Sequence, residues 1–238
     1  MLRGRTALVT GASSGIGAAT AAELAAAGCR LVLVGRDQRR LGEVAARTGG
    51  QALAAELTDP AGLDRVVTAA RQVDLLVHCA GIGWAGDLPS MSAEQVEALT
   101  AVNLTAPMLL TSAVLPELRR RRGHVVFVSS IAVVGVRGEE VYAATKAGVR
   151  AFAESLRHLD GIGVTTVFPG AVRTPFFAGR DYDRRFPRML TPEEVAAALV
   201  RGVQHERAEV FVPAWLAVPA RIQGALPGLF RGLSKWFG

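Results

Sequence analysis

Tyr142 and Lys146 stand four residues apart in the run Tyr142-Ala143-Ala144-Thr145-Lys146, and Ser130 lies twelve residues before the tyrosine. On a helix, that spacing puts the phenol and the ammonium on one face. A phenol with a pKa of about 10 is a poor base at neutral pH, but a neighbouring cation lowers it. Such a tyrosine can take a proton from an alcohol, or give one to a carbonyl oxygen, as a hydride leaves or reaches the adjoining carbon. A serine hydroxyl presented from a neighbouring strand end can hold that oxygen as an oxyanion donor does. A Tyr/Lys pair at this spacing recurs by chance on helices. Here it uses one of the two tyrosines and one of the two lysines in the chain and follows a serine, which chance explains poorly.

Hydride chemistry needs a carrier, and the first glycine-rich turn points to one. An apolar run ends in Thr10-Gly11-Ala12-Ser13-Ser14-Gly15-Ile16-Gly17, and an alanine-rich helical stretch follows. Glycines let backbone N–H groups approach a pyrophosphate, and a helix N-terminus favours its charge. The spacing is GxxxGxG, so Gly11, Ser13, Ser14, Gly15, Ile16 and Gly17 are expected around a dinucleotide. The end of the second strand, Val34-Gly35-Arg36-Asp37, bears on which dinucleotide. An acid there would accept from a ribose 2′-OH, whereas Arg36 offers a planar cationic fork to a 2′-phosphate. Asp37 would repel that phosphate if it turned inward, but it suits the N-cap of the next helix. NADP is therefore favoured over NAD.

These groups must be positioned by a scaffold, and the hydrophobic pattern supplies one. Strands are predicted at Thr6–Thr10, Arg30–Gly35, Ala52–Ala55, Asp74–Cys79, His124–Ser129, Gly163–Phe168 and Glu209–Val212. Helices are predicted to start near Gly15, Asp37, Pro60, Ser92, Glu140 and Thr191. This alternation predicts an α/β fold, a Rossmann-like, doubly wound, seven-stranded parallel sheet with helices on both faces. Right-handed crossovers put the ligand crevice outside the carboxyl ends of the strands. One catalytic domain is expected over residues 1–212, with a polar, aromatic-bearing insert at about 174–190 that reads as a substrate lid.

With the motifs in this order, the chain resembles the short-chain dehydrogenase/reductase family over nearly its whole length. The matching pieces are the TGASSGIG loop, Asn103 in Val102-Asn103-Leu104, Ser130, Tyr142 with Lys146, and Pro169-Gly170-Ala171-Val172-Arg173-Thr174. The resemblance implies a catalytic tetrad of Asn103, Ser130, Tyr142 and Lys146, with Lys146 also on the nicotinamide ribose. It places Pro169, Gly170, Val172 and Thr174 along the nicotinamide, Ala80 and Gly81 against the adenosine ribose, and Glu56 and Leu57 near the adenine. It also implies a homodimer or homotetramer. Three departures stand out. The family's NNAG is His78-Cys79-Ala80-Gly81, with a buried, hydrogen-bonded His78 expected rather than a catalytic one. Glu56 stands where an aspartate is usual. The Ser130–Tyr142 interval is one residue shorter than usual. Gly83, Trp84, Ile131, Ala132, Val133, Pro175, Phe176 and Phe177 would surround the substrate, and their character suits a hydrophobic alcohol or ketone; the phenylalanines would serve equally to pack a lid.

Composition bounds the alternatives. The net charge of +6 and pI near 10.3 admit nucleic acid, but the densest run, Arg119–Arg122, closes a helix where cations suit the dipole. No aromatic residues interleave with it, so no nucleic-acid surface is expected. Arg180, Arg184, Arg185 and Arg188 read as a solvated loop. Cys29 and Cys79, fifty residues apart, have no metal-ligand spacing and are expected to be reduced core thiols; no metal is expected. Met1–Arg5 runs into the first strand without an apolar leader, so a cytoplasmic location is expected. The tail, 213–238, carries Trp215, Trp236 and Phe237 with Arg221, Arg231 and Lys235 and no acid. It is expected to pack on the domain or a partner subunit, as the resemblance implies. Peripheral membrane contact is the alternative. A cofactor-binding regulator on the same fold is the rival from another class.

Overall fold

A computed structural model of the chain describes residues 2–174 and 188–228. Among them the apolar, β-branched runs form seven strands: β1 (Thr6–Thr10), β2 (Arg30–Gly35), β3 (Gln51–Ala54), β4 (Leu75–His78), β5 (His124–Val128), β6 (Gly163–Pro169) and β7 (Glu209–Val212). They make one parallel sheet in the order β3-β2-β1-β4-β5-β6-β7. Each observed end lies within one residue of its expected position. The strand order reverses between β1 and β4, which opens the crevice where such sheets bind ligands.

Strand residues alternate between two cores, because successive side chains point to opposite faces. On one side Ala7, Val9, Leu33 and Val77 pack with Leu24 of α1 (Gly15–Ala26), Leu41 of α2 (Gln38–Thr48) and Leu199 of α7 (Pro192–Gln204). On the other, Leu8, Leu76 and Phe127 pack with Val66 of α3 (Pro60–Ala70), Leu110 and Val114 of α5 (Ala106–Arg120) and Val149 of α6 (Glu140–Leu156). Helix starts follow from caps. Asp37 accepts from the Arg40 N–H at 3.0 Å, and Ser92 and Thr191 form capping boxes with Gln95 and Glu194. These three residues therefore cap the helices they were expected to begin.

Two features go beyond the predicted elements. The helix entered at Ser92 is not uniform: α4 (Ala93–Thr100) passes through a π turn at Ala101–Thr105 before α5. In the tail a short helix, α8 (Ala217–Ala225), packs on the 3₁₀ turn Ile131–Val134. The arginine run ends α5, as expected. Arg120 pairs with Glu117, Arg119 donates to the Asp160 carbonyl at 2.8 Å, and Arg121 lies 3.5 Å from Asp74, just before β4. That is the end of the sheet away from the crevice. Pro175, Phe176, Phe177, Arg180, Arg184 and Arg185 of the expected lid, and 229–238 of the tail, lie outside the described residues.

Candidate active site

The crevice begins at the turn from β1 into α1. Thr10 Oγ1 accepts the N–H groups of Cys79 and Ala80, each at 3.2 Å, so the ends of β1 and β4 are tied by a threonine. Ser14 precedes the first turn of α1, and the N–H groups and positive dipole end of a helix N-terminus favour an anion there. Gly17 must lack a side chain: a Cβ there would lie 2.2 Å from the Gly11 carbonyl oxygen. The Gly17→Ala variant is therefore expected to lose about 1–3 kcal/mol of stability through overpacking. It should also lose most of the rise in Tm that a bound dinucleotide gives the wild type. Thermal unfolding with and without cofactor checks both.

At the far end of the loop, Arg36, Asp37, Arg40, Glu56, Leu57 and Ser13 line the cavity. Asp37 is engaged along α2, capping Arg40 N and lying 3.3 Å from Arg40 Nε. Arg36 approaches Glu56 at 3.3 Å, and the other Glu56 oxygen accepts from Thr58 N at 3.2 Å. Partial burial pushes the Glu56 carboxyl up, but the bonds from Thr58 and Arg36 outweigh it and hold the group below the usual carboxylate range.

The opposite end holds the expected acid–base groups. Ser130, at the end of β5, caps the 3₁₀ turn Ile131–Val134 and accepts the Ala132 N–H at 3.1 Å on its hydroxyl oxygen. Its own hydrogen can then point to a substrate oxygen. The shortened path to α6 is closed by Gly135 and Gly138, both at positive φ, 84° and 76°. On α6, Lys146 Nζ lies 5.7 Å from the centre of the Tyr142 ring and donates to the Val128 carbonyl at 3.0 Å. Burial pushes the Lys146 ammonium down to about 8, which still leaves it mostly cationic at neutral pH.

Asn103 stands behind this group. It is 1% exposed and does not line the cavity. Its side chain accepts from Ile82 N at 2.9 Å, donates to Ile82 O at 2.8 Å and reaches Thr145 Oγ1 at 3.3 Å. Thr145 in turn donates to the Tyr142 carbonyl at 2.8 Å. The π turn carries Asn103 to this position, a common use of such turns at functional sites. Asn103 thereby braces the loop after β4 against α6.

One cavity of about 700 Å³ joins the two ends, a size ordinary for small-molecule and cofactor sites. Gly11, Ser13, Ser14, Gly15, Ile16, Gly17, Arg36, Glu56, Leu57, Ala80, Gly81, Tyr142, Lys146, Pro169, Gly170, Val172 and Thr174 all line it, as does Ser130. Of the expected substrate neighbours, Gly83, Trp84, Ile131 and Ala132 line it too, but Val133 does not: the tight 3₁₀ turn takes it off the wall and Val136 stands there instead. Sequence reading overlooked Arg40, one helical turn beyond Arg36, and Glu139, three residues before Tyr142; both spacings were visible. Cys79 borders the cavity as a protonated thiol, pushed up to about 12 by burial. His78 is buried, stacked on Phe127 with ring centres 5.0 Å apart and bonded to Thr111 at 2.9 Å. Burial pushes His78 down to about 3, so it is neutral and structural.

A doubly wound parallel sheet, a glycine-rich turn at a helix N-terminus, and a serine, tyrosine and lysine across one crevice are the arrangement of an oxidoreductase built on a dinucleotide-binding fold. A model of the short chain dehydrogenase family matches residues 5–185. An uncharacterized oxidoreductase of Myxococcus xanthus is 35% identical over 94% of this chain and 93% of its own length. Two solved structures are similar throughout. A short-chain dehydrogenase from Sphingobium yanoikuyae in complex with NADPH is 33% identical with a TM-score of 0.83, covering 94% of this chain and 96% of that one. A 3-ketoacyl-(acyl-carrier-protein) reductase from Brucella melitensis complexed with NADH is 28% identical with a TM-score of 0.80, covering 89% and 98%. The chain belongs to the short-chain dehydrogenase/reductase family and is an oxidoreductase of that family.

Proposed function

We propose that this protein is an NADP(H)-preferring dehydrogenase/reductase that interconverts a secondary alcohol and a carbonyl on an apolar substrate. The observation that carries the reading is the single cavity that joins the phosphate loop and Arg36 to Ser130, Tyr142 and Lys146. A dinucleotide would fit on two counts: the N-terminus of α1 would receive its phosphates, and the cradle at Gly17 is one that a Cβ would fill. When bound, its nicotinamide supplies or accepts the hydride. Ser130 holds the substrate oxygen, and Tyr142 gives that oxygen a proton in reduction and removes it in oxidation. Lys146 lowers the proton affinity of Tyr142, and Asn103 positions the loop and helix that carry the group.

The apolar substrate is read from Ile82, Trp84, Ile131, Ala132 and Val136 around the reacting end. The exposed apolar residues Val96, Met108 and Leu109 on α4 and α5 suit contact with a second copy, in keeping with a family whose members are often oligomeric.

The two solved relatives hold nicotinamide dinucleotides, one NADPH and one NADH, so the preference rests on Arg36 and Arg40. Loss of a charge-assisted contact to phosphate costs about 1.5–3 kcal/mol. Arg36→Ala is therefore expected to lower the NADPH:NADH ratio of kcat/KM by about tenfold to a hundredfold. A wild-type enzyme that prefers NADH would overturn the phosphate assignment and leave the acid–base chemistry standing.

A further inference from the structure

We infer that Glu56 is a specificity-determining residue that competes with the 2′-phosphate of the dinucleotide for Arg36. This rests on the reading of Arg36 as the group that meets that phosphate. The two residues are twenty apart in sequence, but β2 and β3 are paired with Gly35 opposite Ala54, so the strand ends deliver both to one rim of the cavity. A glutamate reaches farther than an aspartate by one methylene. Its Oε1 accepts from Thr58 N at 3.2 Å, which anchors the carboxylate, while its Oε2 takes Arg36 at 3.3 Å.

A guanidinium fork binds carboxylate and phosphate by the same geometry. Glu56 thus already engages Nη1, one of the donors of the fork that would meet a 2′-phosphate. The pair is open to water, with side-chain exposures of 67% for Arg36 and 37% for Glu56. Such a pair is weak enough to be displaced but still costs something to break. A ligand with a free 2′-hydroxyl has no need to break it. The carboxylate therefore lowers affinity for the phosphorylated dinucleotide selectively and narrows the preference that Arg36 creates. Arg40, held by Asp37 at 3.3 Å, is the second cation at this rim and remains beside the phosphate position whichever partner Arg36 takes.

The test is direct titration of NADPH and NADH into the full-length wild type, Glu56→Gln, Glu56→Asp, Arg36→Ala and the Arg36→Ala/Glu56→Gln double variant, at low and at physiological salt. Glu56→Gln is expected to raise the NADPH:NADH affinity ratio by about threefold to tenfold, the scale of one exposed charge contact. Glu56→Asp, which keeps the charge but shortens its reach, is expected to raise it by less. The gain should disappear in the Arg36→Ala background and shrink as salt rises. An unchanged ratio in Glu56→Gln, an equal change for both dinucleotides, or a gain that persists without Arg36 would overturn the competition. If Arg36→Ala lowers the ratio while Glu56→Gln does nothing, only this inference fails. If Arg36→Ala leaves the ratio unchanged, the phosphate assignment fails and takes this inference with it.

Discussion

Tyr142→Phe is expected to lower kcat by about a hundredfold to ten-thousandfold, the range that one positioned acid–base group contributes, while NADPH still binds. In the proposed reaction the phenol gives the proton that balances the hydride, and the lysine, cysteine and histidine of this region are otherwise engaged. Lys146 donates to Val128 O, Cys79 is held as a thiol, and His78 is buried against Phe127 and Thr111. Removing one oxygen leaves the ring, its helix and the phosphate loop in place. Stopped-flow reduction of an apolar ketone and fluorescence titration of NADPH separate the two effects. A variant that keeps more than a tenth of wild-type kcat would contradict the role given to the phenol.

Lys146→Met carries the second large effect, with opposite consequences for catalysis and stability. Lys146 lies 6% exposed, and burial lowers its pKa from an ordinary 10.5 to about 8. A lowered pKa in a base means that folding disfavours the charge. The penalty is in full force below about pH 8 and fades as the pH rises toward 10.5, where both folded and unfolded states are neutral. Methionine fills a similar volume without a charge. In the absence of cofactor, its Tm should equal or exceed that of the wild type at neutral pH, less whatever the loss of the Val128 contact costs. The difference should narrow as the pH is raised from about 8 to above 10. Turnover moves the other way. Without the ammonium 5.7 Å from its ring, Tyr142 loses the cation that favours its phenolate, and alcohol oxidation at neutral pH should fall by roughly a hundredfold with its pH optimum shifted to more alkaline values. Thermal unfolding across pH and a pH–rate profile test the two halves separately.

Much of this was legible from the residues themselves. Runs such as Ala7-Leu8-Val9, buried throughout, and Leu31-Val32-Leu33-Val34, buried but for a partly exposed Val32, read as unbroken apolar strands of a parallel sheet. Local motifs were equally plain, because a glycine that cannot bear a Cβ and a Tyr/Lys pair on one helical turn are encoded in adjacent residues. What escaped depends on contacts distant in sequence. The π turn at Ala101–Thr105 lies in an unbroken helical stretch with no glycine to mark it, and it is held by Asn103 bonding the backbone of Ile82. The Arg36–Glu56 contact exists only because β2 and β3 are neighbours. Val133 failed as a wall residue because four residues in a 3₁₀ turn do not present their side chains as an extended loop would. Asp37 was read well, since an N-cap aspartate satisfies its oxygens locally.

The most direct measurement follows the hydride itself. NADPH carrying deuterium at the reactive carbon of the nicotinamide ring is incubated with the wild-type enzyme and a panel of apolar ketones, and the products are examined by mass spectrometry and proton NMR. The account predicts one deuterium on the carbinol carbon of the product, with loss of the signal in Tyr142→Phe. Tight NADPH binding without transfer to any ketone, or equal transfer by the Phe variant, would contradict it.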